Sequence, residues 1–232
     1  MALFDDASLV VTPNGYKEGT LYSIKPTSGA GDMTVVRATT ATRVNSAGLI
    51  ESVAINVPRL DYLNASCPSL LVEPQRTNLL KYSEQFDNAA WTKSGSSVTP
   101  NATTSPDGTI NADKLVEDTS TGNHRIVNSA FAVSNGTAYS QSWYVKYFNN
   151  QWVQLNRGQE GSGYLNFDLI NGVVGNTGGI TNYEISVMPN GWYRISINYV
   201  VTGTYATAGI SILKTNINAR YESYVGDGTS GV

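Results

Sequence analysis

The stretch Trp192-Tyr193-Arg194-Ile195-Ser196-Ile197-Asn198-Tyr199-Val200 alternates along its whole length. Its odd positions, Tyr193, Ile195, Ile197 and Tyr199, are apolar or aromatic throughout. Its even positions, Trp192, Arg194, Ser196 and Asn198, are mixed. Successive side chains of an extended backbone point to opposite faces, so a period of two marks a strand with one face in a core. The odd set is the expected core face. Burying its isoleucines contributes about 3–6 kcal/mol before chain entropy is counted.

The same texture spreads outward on both sides. His124 to Val133, Ala138 to Phe148, Gln151 to Asn156, Tyr164 to Leu169, Thr181 to Val187, Ala208 to Leu213 and Tyr221 to Val225 read as further strands. Asn135-Gly136, Asn149-Asn150, Asn171-Gly172 and Asn190-Gly191 separate them, and such pairs tolerate the positive φ that tight hairpins need. No segment has a helical period. The pattern predicts an all-β chain, with an antiparallel β-sandwich of the jelly-roll kind over residues 81–232.

Residues 1–80 differ in texture: short strand candidates broken by frequent turns. Ala7 to Thr12 is expected to end at a Pro13-Asn14-Gly15 turn. Thr20 to Lys25, Met33 to Arg37, Leu49-Ile50 and Ser52 to Val57 follow, with loops at Pro26 to Asp32 and Asn45 to Gly48. Parity places Arg37 and Arg43 on one face of a β-branched strand. Strands this short imply a region that attaches or oligomerises, against its own copies or another surface. The join, Leu70-Leu71-Val72-Glu73-Pro74 through Leu79-Leu80 to Phe86, alternates apolar anchors with breakers and reads as a packed connector. Arg59, Asp61, Glu73 and Arg76 are candidate ion pairs, setting its geometry more than its stability.

Composition narrows the classes. Charged residues make up 14% of the 232, against about 25% in ordinary domains. The 14 tyrosines and 22 glycines speak for a folded, aromatic-rich chain rather than a disordered one. A net charge of −3 with no basic run disfavours a nucleic-acid partner. One cysteine, Cys67, excludes an internal disulfide framework and a multi-cysteine metal site. Met1 to Asp6 lacks the features of a secretory signal, and no apolar run reaches membrane-spanning length.

Sugar recognition calls for an aromatic face that stacks on C–H groups, flanked by amides and hydroxyls. In Gln151 to Asn156, Val153 and Leu155 are expected inward, leaving Trp152, Gln154 and Asn156 as an outward row of that chemistry. Tyr144 with Lys146, or Trp143 with Tyr147, extends it, and His124 and Arg125 are placed nearby. A second reading stays open: Trp152 packs under a loop or against a neighbouring subunit. Catalysis has thinner support. His124 is the single histidine, no Gly-x-Ser-x-Gly elbow exists, and no pair stands out among Asp113, Glu117, Asp118, Glu160, Asp168 and Glu184. The expectation is a non-enzyme without cofactor or metal site.

Several strings resemble a known module. They are Arg37-Ala38-Thr39-Thr40-Ala41-Thr42-Arg43-Val44-Asn45, Gly48-Leu49-Ile50-Glu51, Asn56-Val57-Pro58-Arg59-Leu60-Asp61-Tyr62, Leu70-Leu71-Val72-Glu73-Pro74-Gln75-Arg76-Thr77-Asn78-Leu79-Leu80 and Tyr82-Ser83-Glu84-Gln85-Phe86-Asp87-Asn88-Ala89-Ala90-Trp91. In this order they resemble tailed-bacteriophage virion proteins: head fibres, tail fibres and spikes that often carry a lectin-like or carbohydrate-binding jelly roll. The resemblance runs from about Val10 to the C-terminus. It implies a virion subunit made in a bacterial cytoplasm, homotrimeric, bound through its N-terminal half to capsid or tail proteins. Its jelly roll would project toward a host-surface polysaccharide. A primarily glycan-recognising module, or a capsule depolymerase with an inter-subunit active site, are the competing implications. Gly226 to Val232 is expected to be a flexible end; either the protein is short, or these residues are the ordered part of a longer one, in which case the sandwich lacks its closing strand within a single chain.

Overall fold

The computed structural model describes residues 3–157 and 163–232. The chain is all-β, with antiparallel strand pairing, and forms two compact units, Met1–Arg76 and Thr77–Val232. Among the described residues, no helix is long and apolar enough to cross a membrane.

In the first unit a single helical turn, α1 (Leu3–Asp6), precedes β1 (Val10–Lys17), β2 (Thr20–Lys25) and β3 (Met33–Thr34), which form one sheet in that order. Two small hairpins follow, β4 (Ala41–Val44) with β5 (Ile50–Val53), and β6 (Leu60–Asp61) with β7 (Ser69–Leu70). The expected turn at Pro13-Asn14-Gly15 is instead inside β1, where a register shift between Val11 and Tyr16 absorbs it. An edge strand tolerates the missing proline donor. The hairpin turns at Glu18-Gly19, with φ of 52° and 90°.

Among the described residues of this unit, the buried apolar side chains are Leu21, Val44 and Val53, and polar pins supplement them. The Arg37 guanidinium donates to the carbonyls of Thr39 (2.9 Å), Val53 (2.9 Å), Val57 (2.9 Å) and Ala54. Arg37 therefore sits outside β4 as a backbone clamp and shares no strand face with Arg43, which pairs with Glu51 at 2.6 Å. Arg59 and Glu73 do pair, at 2.8 Å, whereas Asp61 accepts the N–H groups of Val44 and Leu63. The connector is not packed along its length. Residues 71–80 have no regular structure and Val72 is 81% exposed, because pairing stops at Leu70. Its anchors come later, at Leu80 and Phe86, which are partly buried against the core of the second unit.

The second unit contains β8 (Trp91–Ser94), β9 (Ser96–Thr104), β10 (Ile110–Glu117), β11 (Thr121–Gly122), β12 (His124–Asn128), β13 (Phe131–Ala132), β14 (Ala138–Lys146), β15 (Trp152–Arg157), β16 (Tyr164–Asp168), β17 (Val173–Gly178), β18 (Tyr183–Val187), β19 (Trp192–Val200), β20 (Tyr205–Ala206), β21 (Ala208–Leu213) and β22 (Tyr224–Val225). One sheet has the order β17-β16-β15-β21-β12-β8 and the other β14-β19-β18. Between them lie Ile126, Val153, Leu155, Leu165, Phe167, Ile210 and Ile212 from the larger sheet, and Trp143, Val145, Ile195 and Ile197 from the smaller. Trp143 stacks on Phe86 (5.8 Å) and meets Trp91 edge-on (5.7 Å). The parity of Trp192 to Val200 holds: Ile195 and Ile197 are wholly buried, with Tyr193 and Tyr199 packed against the core.

Strand β17 escapes the alternation rule because Gly175 and Gly178 interrupt it. A Cβ at Gly175 would come within 2.6 Å of the Trp152 ring, and one at Gly178 would fall on the ring of Tyr164. The glycines make room for those rings. The C-terminal residues are not loose either. The N–H and carbonyl of Val232 bond to Leu115 at 3.1 and 3.0 Å, and Glu117 N–H donates to the Ser230 carbonyl, so Ser230 to Val232 pair antiparallel with β10.

Asn190 and Gly191 turn β18 into β19 with φ of 60° and 78°. A Cβ at Gly191 meets nothing nearer than Lys146 Cε at 3.8 Å, so the cost of Gly191→Ala is purely conformational. It is expected to lose about 1–2 kcal/mol in urea denaturation; an unchanged midpoint would mean the turn relaxes freely.

Candidate functional site

Val153 and Leu155 point inward, as parity predicts. Gln154 and Asn156 occupy the opposite face, yet they are only 0% and 2% exposed. The segment 214–221 lies across them as a strap. Gln154 Nε2 donates to Asn166 Oδ1 (2.8 Å) and to the Ala219 carbonyl (3.0 Å), while its Oε1 accepts Tyr221 N–H (2.9 Å). Asn166 Nδ2 donates to Asn216 Oδ1 (3.0 Å) and the Ile217 carbonyl (2.8 Å). Asn156 Nδ2 donates to Ser211 Oγ at 2.9 Å, and Tyr164 OH to Asn218 Oδ1 at 3.1 Å. Trp152 is half-buried beside Gly175 and Asn216.

The expected outward row is therefore corrected: Trp152, Gln154 and Asn156 are the foundation of the strap, and the open reading in which Trp152 packs under a loop is the one realised. Alternation assigns a side chain to a face; it carries no information about what covers that face. Buried amides need partners, and for Gln154 and Asn166 the strap supplies several of them.

The strap is clamped at both ends. Glu222 accepts the N–H groups of Lys214 (2.6 Å) and Thr215 (3.1 Å) and the Thr215 hydroxyl (2.8 Å). Lys214 Nζ then reaches Glu117 at 2.7 Å, and Glu117, whose side chain is fully buried, also accepts Tyr224 OH (2.7 Å) and Asp227 N–H (2.9 Å). Burial first, then the bond to Glu117, pushes the Tyr224 phenol far above its ordinary value. The Ser230 hydroxyl, with the Ser230 and Thr229 N–H groups, holds Asp227 far below the usual carboxylate range.

His124 occupies the same corner. It is fully buried, its Nδ1 against the Gly95 carbonyl and its Nε2 3.3 Å from the Tyr224 carbonyl. It pins backbone segments and does not face a ligand surface. Arg125 stacks on Tyr221 of the strap, at 4.4 Å. Tyr144 lies on the other sheet, 40% exposed. The six sequence-level candidates thus do not converge.

The carboxylates are similarly engaged. Asp113 accepts the N–H groups of Phe86 and Asn101, Asp118 caps Ser120, and Asp168 holds Ile170, Asn171 and Gln151. Glu160 lies outside the described residues, and Glu184 is exposed. Among the described residues, no group of three or more His, Cys, Asp or Glu is arranged to hold a metal ion.

One polar face stays open: the outer side of β14-β19-β18. Register aligns Tyr144 with Arg194 and Ser186, then Ser142 with Ser196 and Glu184, then Ser140 with Asn198. Ser140 Oγ donates to Asn198 Oδ1, whose Nδ2 reaches Asn182 at 3.2 Å. At the other end Trp192 Nε1 donates to the Thr104 carbonyl (3.1 Å), so the tip of the β9–β10 hairpin lies over that end. Sequence reasoning named Tyr144 and Lys146 from this surface but attached them to the Gln154 row; the mixed even positions of Trp192 to Val200 were the signal it did not use. No protein-family model matches the chain, and no curated protein aligns with it.

Proposed function

We propose that this chain is a non-enzymatic structural subunit of a bacteriophage virion appendage, a head fibre, tail fibre or spike. Its first unit attaches and its second, a jelly-roll-like sandwich, projects for adhesion to a host-surface glycan. The resemblance of the connector strings motivates the reading. The observation that carries it is the imbalance of the first unit, whose described residues bury three apolar side chains while Leu9, Tyr22, Ile24, Val36, Ile55 and Val72 are exposed. A unit of this size with so small a core ordinarily needs a metal, disulfide or partner to be stable, and Cys67 has no cysteine partner. Other copies and a capsid or tail protein are the partners that fit a virion appendage.

Native mass measurement or light scattering of the whole chain tests this: a homotrimer is expected, and monomer at high concentration would overturn it. The non-enzymatic part has its own check. Incubation with bacterial capsule is expected to release no new reducing ends, and their release would favour the depolymerase reading.

A further inference from the structure

We propose that the outer face of the β14-β19-β18 sheet is the glycan-contact surface, with Arg194 taking the carboxylate of an acidic sugar and Tyr144 stacking on its ring. The proposal rests on the adhesive reading above and names the site and the ligand chemistry for it.

Unused charge is the first ground. Arg37, Arg43 and Arg59 all spend their guanidinium groups on backbone carbonyls or carboxylates. Arg194 is half-buried, yet makes no hydrogen bond or ion pair with any described residue. A partly desolvated guanidinium with five idle donors is matched to a carboxylate, which it holds through two parallel bonds. Lys146, two residues along the same face of β14 from Tyr144, adds a second cation. It too has no ion pair among the described residues.

Shape is the second ground. Ser186 and Ser196 are 4% and 8% exposed although they belong to the outer face. The serines form a floor bounded by Tyr144, Arg194, Glu184 and Asn198. Directly opposed side chains lie about 5 Å apart and successive rows about 7 Å apart, the dimensions of one sugar ring. Tyr144 presents an exposed ring for C–H stacking. Ser142 and the Glu184 carboxylate, both exposed, supply partners for hydroxyls. Glu184 is opposite Ser196, one row from Arg194, and so takes hydroxyls while the cations take the acid. This separates the face from the row at Gln154, whose amide is wholly spent on Asn166 and the strap, and where Asn156 is buried.

Calorimetry with the full chain tests the proposal, using a galacturonic-acid oligosaccharide and a neutral glucose oligosaccharide of equal length. The acidic probe is expected to bind at least about tenfold more tightly, and more weakly as salt is raised. Arg194→Gln should remove about tenfold of that affinity, Arg194→Lys should restore part of it, and Tyr144→Ala should weaken binding of both probes. Tyr144 is 40% exposed and Arg194, though half-buried, makes no hydrogen bond or ion pair with a described residue, so an unchanged thermal midpoint is expected to accompany these losses. Equal binding of the two probes, or acidic binding indifferent to Arg194→Gln, overturns the proposal. Adsorption of labelled protein to a panel of encapsulated bacteria separates the two levels. Adsorption that survives the Arg194→Gln, Tyr144→Ala double variant defeats this site and leaves adhesion standing. Wild-type protein that adsorbs to none of the panel defeats the adhesive reading itself.

Discussion

Replacing Glu117 with alanine is expected to destabilise the chain by about 3–5 kcal/mol. The carboxylate is fully buried and serves three donors at once: Lys214 Nζ, Tyr224 OH and Asp227 N–H. Truncating it leaves the Tyr224 hydroxyl and the Asp227 N–H without their acceptor in a part-buried corner, where an unmet partner costs more than the bond contributed, while Lys214, 35% exposed, recovers some water. The donors come from the start of the strap and from the two segments after it, so their release should loosen residues 214–232 together. Equilibrium denaturation gives the magnitude, and hydrogen exchange along those residues gives the location. Glu117→Gln should lose less, since it keeps the shape and one acceptor oxygen. A Glu117→Ala variant within about 1 kcal/mol of wild type, the usual limit for an exposed ion pair, would show that water reaches this corner.

The same corner sets an acid limit. Asp227 is held below the ordinary carboxylate range by Ser230 and Thr229, so its folded form prefers the charged state. Its contribution is complete above the unfolded carboxylate value and is lost as the pH falls through the depressed folded one. Acid should therefore weaken the 227–230 turn, and Asp227→Asn should remove that part of the pH slope.

Gln154→Ala is expected to cost about 2–4 kcal/mol, the sum of three buried hydrogen bonds and the unmet partners left behind. Asn166 Oδ1, the Ala219 carbonyl and the Tyr221 N–H would all lose their partner on β15. The variant also separates two roles. A foundation residue loses stability and raises exchange in the strap, whereas a sugar-contact residue loses affinity at constant stability. Unchanged stability with lost glycan binding would restore the outward reading of this row.

Much of the second unit was legible. Strands of mixed alternation, such as Ala138 to Lys146 and Trp192 to Val200, announce themselves because a half-buried strand must separate its apolar and polar side chains by parity. Asn190-Gly191 announced its turn because few other pairs accept two positive φ values. Val173 to Gly178 gave no such sign, since its glycines are there for the Trp152 and Tyr164 rings. The join between the units misled for a related reason. An apolar residue such as Val72 is an anchor only if something is there to receive it.

The candidate site was much less legible. Gln154 was assigned to the correct face and the wrong environment, because its cover arrives 65–67 residues later in the chain. Glu117 stood among six undistinguished carboxylates, and its three donors lie 97, 107 and 110 residues away. Local sequence by itself determined the all-β class, the strand faces and most of the turns of this protein, because each depends on neighbours within a few positions. Only the tertiary structure decided which polar face is roofed by the strap and which stays open to solvent. Solvent access depends on where distant segments come to rest, and the period of a strand holds no record of that.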